Sequence, residues 1–404
     1  MNITIARRID FWLGIPLCMA LSLLNTLKSI FCSHANGDPK NILFLELSEI
    51  GSVILGYPAM KKVQALFPHS KLYLWIFNKN KDIVPILGIF PEENVIAMRE
   101  DNFLCLCIDI IKNVWRIRKE RIDVIIDFEL FSRFSSFLSY LSGARVRVGF
   151  YGFSAKNPYR GNLLTHKVNY NHYMHMSNNF LALAQALKAH SHEPFLKEFL
   201  MSNEFFSLQV KVNKERENAM WLKLRNYNKQ IERDSKIILV HPCINDVLPI
   251  RRWPFDSYIQ LANRFLSVPN IFVITIGNNI RQRDIALIEK AVPHPQCIHL
   301  VGKITIKELL GLFHISNLLI SHDSGAVHLA SLTAIEIIVL FGPETPLLYK
   351  PLSMKSKIFY KQFICSPCIS AYNYRKSACK DNKCVSAITV DEVYNEALMR
   401  LSVL

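Results

Sequence analysis

The sequence predicts an α/β chain of two doubly wound, parallel-sheet domains preceded by an apolar helix. Three observations predict it. Apolar runs of strand length recur along the chain, with helical stretches between them. The plan pauses in a polar region near the middle and then starts again. And 404 residues, half of them apolar and a fifth charged, suffice for two cores.

The strands come in order. "NILFLEL" (41–47) is continuously apolar but for its acid, the mark of a strand covered on both faces. "KLYLWIF" (71–77), "NVIAM" (94–98), "IDVIIDF" (122–128) and "RVRVGF" (145–150) follow. The second series is "KIILVHP" (236–242), "IFVITIG" (271–277), "CIHLVG" (297–302), "NLLISHD" (317–323) and "IEIIVLFGP" (335–343). Strands alternating with helices argue for parallel sheets. The boundaries predicted are 1–38 for an apolar helix and linker, 39–190 for the first domain, 191–235 for a connection and 236–404 for the second. Both domains read as Rossmann-like, so ligands are expected at the carboxyl ends of the strands.

The N-terminus, "ARRIDFWLGIPLCMALSLLNTLKSIF", has two arginines before an apolar run from Phe11 to Leu24. That run is short of the roughly 20 residues a bilayer span needs, and Gly14 and Pro16 would bend it. A signal peptide cleaved after Ala35 and a plain core helix are both open readings. The preferred one is a helix in the membrane interface, with Arg7, Arg8 and Lys28 at the headgroups and Trp12 between. A net charge of +15 agrees with an anionic neighbour. "IKNVWRIRKER" (111–121) reads as an amphipathic helix with a basic outer face. No zinc-finger spacing, RNP motif or long basic run is present, so nucleic acid is not an expected partner.

"LISHDSGAVHLAS" (319–331) is a buried strand that hands over to a helix through Asp323, Ser324 and Gly325. Glycine lets backbone come close to a ligand. The first amides of a helix lack internal partners and, with the helix dipole, suit an anion such as a diphosphate. Ser324 offers a hydroxyl, Asp323 a helix cap, and His328 a second donor one turn on. The plainer alternative is a capped helix with a half-buried histidine.

Four stretches together resemble the bacterial family-9 glycosyltransferases, the heptosyltransferase-like group. "LISHDSGAVHLASL" resembles that family's D-[TS]-G-x-x-H-L-A-A signature, and "IIVLFGPETP" its V-x-L-F-G-P-T-x-P segment. "RRWPFDSYIQLANRF" (251–265) resembles its [KR]-x-W-P block, and "ILFLELSEIGSVILGYPAM" its first strand and loop. The resemblance runs from about Asn41 to the C-terminus. It implies a GT-B fold with the active site in an interdomain cleft. It also implies an inverting transfer from a nucleotide-diphosphate sugar to a lipid-linked or oligosaccharide acceptor, such as lipopolysaccharide core. Neither metal nor cofactor is expected. By position, Asp323, Ser324, Gly325 and His328 become the donor-phosphate site, with Arg251 and Lys303 balancing its charge. The implied location is the cytoplasmic face of the inner membrane, against an anionic surface.

One departure matters. Where the family carries aspartate after I-G, this chain has Ser52. Glu49 in the same turn is the expected general base. If it does not serve, the chain is an inactive nucleotide-sugar-binding or assembly protein of the same fold. Of ten cysteines, Cys18, Cys32, Cys105, Cys107, Cys243 and Cys297 are scattered. Cys365, Cys368, Cys379 and Cys384 cluster in C-x2-C-x10-C-x4-C, a spacing open to zinc or to two disulfides. The reading adopted is a stabilised loop without metal. A Thr-capped, apolar-striped helix closes the chain.

Overall fold

The computed structural model describes residues 10–29, 37–47, 49–152, 159–189, 209–210, 212–242, 248–277, 282–373 and 375–402. Arg7, Arg8, the Lys28 side chain, Cys32, the Ala35–Asn36 position, Cys243 and the loop just after Gly277 lie outside them. The chain divides into two units, Met1–Ser202 and Asn203–Leu404.

The amino-terminal unit holds six parallel strands: β1 (Asn41–Leu45), β2 (Lys71–Phe77), β3 (Val95–Met98), β4 (Val124–Asp127), β5 (Val146–Tyr151) and β6 (His166–Asn169). Their spatial order is β3-β2-β1-β4-β5-β6. Helices α1 (Gly14–Ser29), α2 (Ile50–Leu66), α3 (Phe103–Lys119), α4 (Arg133–Leu141) and α5 (Met176–Gln185) accompany it. The continuous apolar runs are buried on both faces: Ile42 to Leu45 are wholly inaccessible. Leu43 and Leu45 look toward α3 and α4, where Leu106, Ile117 and Leu138 meet them. Asp127, at the end of β4, is buried against Arg160, which also donates to Ser136 Oγ at 2.6 Å and the Phe150 carbonyl at 2.7 Å. A buried charge pair of this kind is tolerable because its remaining donors are satisfied.

The carboxy-terminal unit repeats the design. Its strands are β7 (Lys236–His241), β8 (Ile271–Thr275), β9 (Cys297–His299), β10 (Leu318–His322), β11 (Glu336–Phe341) and β12 (Ser356–Tyr360). All are parallel, in the order β12-β11-β10-β7-β8-β9. Its helices are α6 (Lys214–Tyr227), α7 (Phe255–Leu266), α8 (Gln282–Ala291), α9 (Ile306–Ile315), α10 (Gly325–Ala330) and α11 (Val390–Leu401). In each unit the chain starts mid-sheet and reverses direction between the first and fourth strands. That switch point is where doubly wound sheets hold ligands, and here it falls between β7 and β10. The closing helix α11 starts at the predicted Thr389, whose hydroxyl and Glu392 form a reciprocal capping box. It packs on α7, β10 and β11 of its own unit.

One expectation changes, and one open reading of the N-terminus closes. Trp115 stands out in solvent, whereas Val114 and Ile117 turn inward, so the outer face of α3 is apolar as well as basic. The apolar N-terminal helix is not a core helix. Cys18 is fully buried, but only 6% of the stretch Asp10–Leu27 is buried.

Candidate functional site

The candidate site is built at the carboxyl ends of β7, β10 and β11. β10 delivers Asp323, which is 6% exposed. The short turn Pro249–Arg251, after β7, delivers Arg251. Arg251 Nη1 lies 3.2 Å from Asp323 Oδ2, and both side chains are largely shielded from water. Arg251 Nε is buried with no hydrogen-bond partner among the described residues. A guanidinium so placed has donor capacity left for another anion.

The turn that bears Arg251 is braced from two sides. Trp253 is fully buried, meets Tyr258 edge-on at 5.0 Å and donates its indole N–H to the Ile388 carbonyl at 2.9 Å. The W-P element of the motif is therefore an anchor. From the other side, Asn382 Nδ2 donates to the carbonyls of Ile250 at 3.1 Å and Arg252 at 2.6 Å. These flank Arg251, so the cysteine-rich segment fixes the backbone that presents it.

Asp323 is not the helix cap. Ser324, in extended backbone, stands at that position, and its side chain makes no cap hydrogen bond. Its hydroxyl lies 3.1 Å from Ser321 Oγ, which in turn lies 3.1 Å from His241 Nδ1. Burial lowers the His241 pKa to about 4, so this hydroxyl–imidazole chain is neutral at physiological pH. Gly325 is exposed, and a Cβ added there would meet no atom within 4 Å. Among the described residues nothing demands glycine there, and the space over it is clear of their atoms. His328 sits in the same short helix, 5% exposed, its carbonyl accepting from Ser331 Oγ at 2.6 Å.

Lys303 is elsewhere. It follows β9 at the sheet edge, three strands from β10, and its Nζ is bonded to Glu289 Oε1 at 2.8 Å. The structure thus brings Arg251 and Asp323 together, sets Ser324, Gly325 and His328 beside them, and leaves Lys303 in a surface ion pair.

Sequence reasoning missed Glu344, in "FGPET". It is 1% exposed, and its Oε2 has no hydrogen-bond partner among the described residues. Burial pushes its carboxyl up to about 7; Arg375 and Arg251 pull it down, and Asp323 pushes it up. The signal was present, since Glu344 replaces the threonine of the F-G-P-T-x-P pattern. Gly342, two residues earlier, is required by packing: a Cβ there would collide with the Val385 side chain and approach Cys384 Sγ to 2.9 Å.

Cys365, Cys368, Cys379 and Cys384 are free thiols lining one cavity of about 370 Å³. Among the described residues, no three His, Cys, Asp or Glu side chains are arranged to hold a metal ion.

In the amino-terminal unit, Glu49 is exposed and occupies the cap position of α2 at the carboxyl end of β1. Its N–H points to Glu46 Oε1 at 3.5 Å. Glu46 is 2% exposed and held well above the usual carboxylate range by burial, then by the charges of Glu129 and Glu49. Two acids therefore stand where β1 ends, one masked and one open.

The chain is similar to known proteins in sequence and in fold. Residues 111–378 match the family described as glycosyltransferase family 9 (heptosyltransferase). The chain is 21% identical over 323 residues to the lipopolysaccharide core heptosyltransferase OpsX of Haemophilus influenzae, covering 78% of this chain and 82% of that one. Its fold is similar to E. coli ADP-heptose lps heptosyltransferase II, at a TM-score of 0.68 and 18% identity, covering 90% of this chain and 98% of that one. It is equally similar to a family 9 glycosyl transferase from Veillonella parvula, at a TM-score of 0.69 and 18% identity, with the same coverage.

Proposed function

The chain belongs to glycosyltransferase family 9, and from that premise we propose that it moves a heptose-like sugar from ADP-heptose to a lipid-linked lipopolysaccharide core acceptor. The observation that carries this reading is Arg251, held against Asp323 at the switch point with donor capacity unused.

In this reading the diphosphate accepts from the Arg251 guanidinium, from Ser324 and His328, and from the amides around Gly325. Backbone amides and a fixed guanidinium stabilise charge as it develops on the leaving ADP, with no reorganisation at the moment of reaction. The acceptor hydroxyl attacks the anomeric carbon with inversion, and Glu49 takes its proton. Glu49 is exposed at the end of β1, and a carboxylate so placed can take a proton from a hydroxyl within hydrogen-bonding reach. The transfer proceeds without metal at the cytoplasmic face of the inner membrane, where the lipid-linked acceptor lies.

The test is turnover of ADP-heptose by purified protein with lipopolysaccharide core acceptor, wild type against Glu49→Gln. A loss of about 10²-fold or more in kcat, with ADP binding unchanged, is the result expected for a general base. Full activity in the variant would remove Glu49 from the mechanism. Donor binding with no turnover in the wild type would favour the inactive, nucleotide-sugar-binding reading, which Ser52 in place of aspartate motivates.

A further inference from the structure

Helix α1 is fastened to the amino-terminal unit by polar contacts. Arg133 Nη1 meets Asp10 Oδ2 at 3.2 Å, and the Phe134 N–H donates to Asp10 Oδ1 at 2.9 Å. Asn25 Nδ2 donates to the Asn162 carbonyl at 2.7 Å, and Arg147 Nη2 donates to Asn25 Oδ1 at 3.2 Å. Ser22 Oγ accepts from the Asn162 N–H at 2.6 Å, beside Gly161, where a Cβ would strike the helix. The side chains facing away are apolar: Trp12 is 72% exposed, Leu13 66% and Leu23 65%.

Helix α3 has the same inversion. One stripe, through Leu106 and Ile117, enters the core. A second stripe, with Leu104, Ile111 and Trp115 each about two-thirds exposed, faces solvent. Lys112 and Lys119 are exposed along that second stripe, Lys119 lying over the Trp115 ring at 5.4 Å. Both α1 and α3 pack against α4, and α3 and α4 cover the same sheet face. Their outward stripes are therefore carried by two helices that both pack on α4.

From these stripes we infer that α1 and the outer face of α3 form one surface that seats the amino-terminal unit on an anionic bilayer. Apolar side chains interleaved with lysines suit the headgroup boundary, and the chain's +15 charge adds to the attraction. A second copy of the chain is the poorer occupant, because it would set Lys112 and Lys119 against like charges. The helix lies on the membrane and does not cross it: spanning would break the contacts of Asp10, Ser22 and Asn25 with the folded unit. This surface deepens the location proposed above, and its purpose rests on a lipid-linked acceptor.

The test is sedimentation of the full chain with vesicles of phosphatidylcholine, alone or mixed with phosphatidylglycerol. Binding to the mixed vesicles, weakened by salt, is expected. The double variant Ile111→Glu, Trp115→Glu should lower that binding on the order of ten-fold or more, with an unchanged melting temperature. Trp12→Ser with Leu23→Ser should act in the same direction. Wild-type binding by the Ile111/Trp115 variant would overturn the role of α3, and no binding by the wild type would overturn the surface altogether. A wild-type dimer in solution that this variant dissolves would assign the face to a second copy instead. Turnover on a deacylated, soluble acceptor should survive the substitutions. Its absence in the wild type would be a failure of the catalytic reading and would leave the vesicle result standing.

Discussion

Arg251 and Asp323 meet at 3.2 Å where β7 and β10 end, and the arginine's buried Nε has no hydrogen-bond partner among the described residues. In the proposed donor site the pair is asymmetric: Asp323 orients the guanidinium and offsets its charge, while Arg251 supplies the donors for the diphosphate. Arg251→Ala should therefore raise the Kd for ADP on the order of ten-fold or more, the scale of a charge-assisted hydrogen bond to phosphate. It also takes a counter-charge from the buried Asp323 carboxylate, which should lower stability. Asp323→Asn should cost less stability, because an amide needs no counter-charge. Calorimetric ADP titration and denaturant unfolding separate the two effects.

Asn382 offers a way to disturb Arg251 without touching it. Its amide spans the carbonyls of Ile250 and Arg252. Asn382→Ala removes two hydrogen bonds, together about 1–2 kcal/mol, and frees the turn. ADP affinity should fall several-fold while kcat at saturating donor is retained. A variant that loses stability alone, with Kd unchanged, would show the loop to be bracing and nothing more.

Gly325→Ala tests whether the open space over the D-S-G turn belongs to a ligand. The added methyl meets no protein atom within 4 Å, and Gly325 has no positive φ that an alanine would strain. Stability should stay within about 0.5 kcal/mol or rise slightly, since alanine favours helix. Donor binding should nevertheless weaken, because the methyl occupies the approach to the backbone. Unchanged ADP affinity would mean that the turn caps a helix and does no more.

These contrasts show what was legible in the sequence. Ten strands were visible because buried parallel strands are continuous apolar runs, as in Ile42–Leu45 and Leu318–Ile320. β6 and β12 are edge strands without an apolar run and were missed, although the edge strands β3 and β9 were not. Three of the four residues of "HKVN" are polar, and every residue of "SKIFY" is only half-buried. Asp323 and Arg251 were legible through motif spacing, but their pairing was not, because only the sheet order brings β7 beside β10. Lys303 had the right charge at a strand end, yet β9 lies at the sheet's far side and Glu289 engages it. Glu344 departs from the motif, but its burial was not legible, for the opposite reason. An acid between proline and threonine reads as a solvated loop residue, and burial of that kind is decided by the fold around it.

Glu344 makes the site sensitive to pH. With its carboxyl pushed up to about 7, the folded chain holds a proton there that the unfolded chain releases near its ordinary value of about 4.3. The stability this gives is full below that ordinary value and is lost as pH rises through about 7, a span worth about 4 kcal/mol. Glu344→Gln carries no such proton. It should match the wild type near pH 4 and exceed it by a growing margin up to pH 8, as denaturant unfolding at each pH would show. Donor binding should follow the same curve. The ionised carboxylate adds negative charge beside Arg251, where the diphosphate is to bind, so wild-type ADP affinity should fall relative to Glu344→Gln between about pH 6 and 8. The nucleotide's own titration is common to both proteins and cancels in that ratio. A ratio flat across this range would place Glu344 outside the field of the donor, whatever its effect on stability.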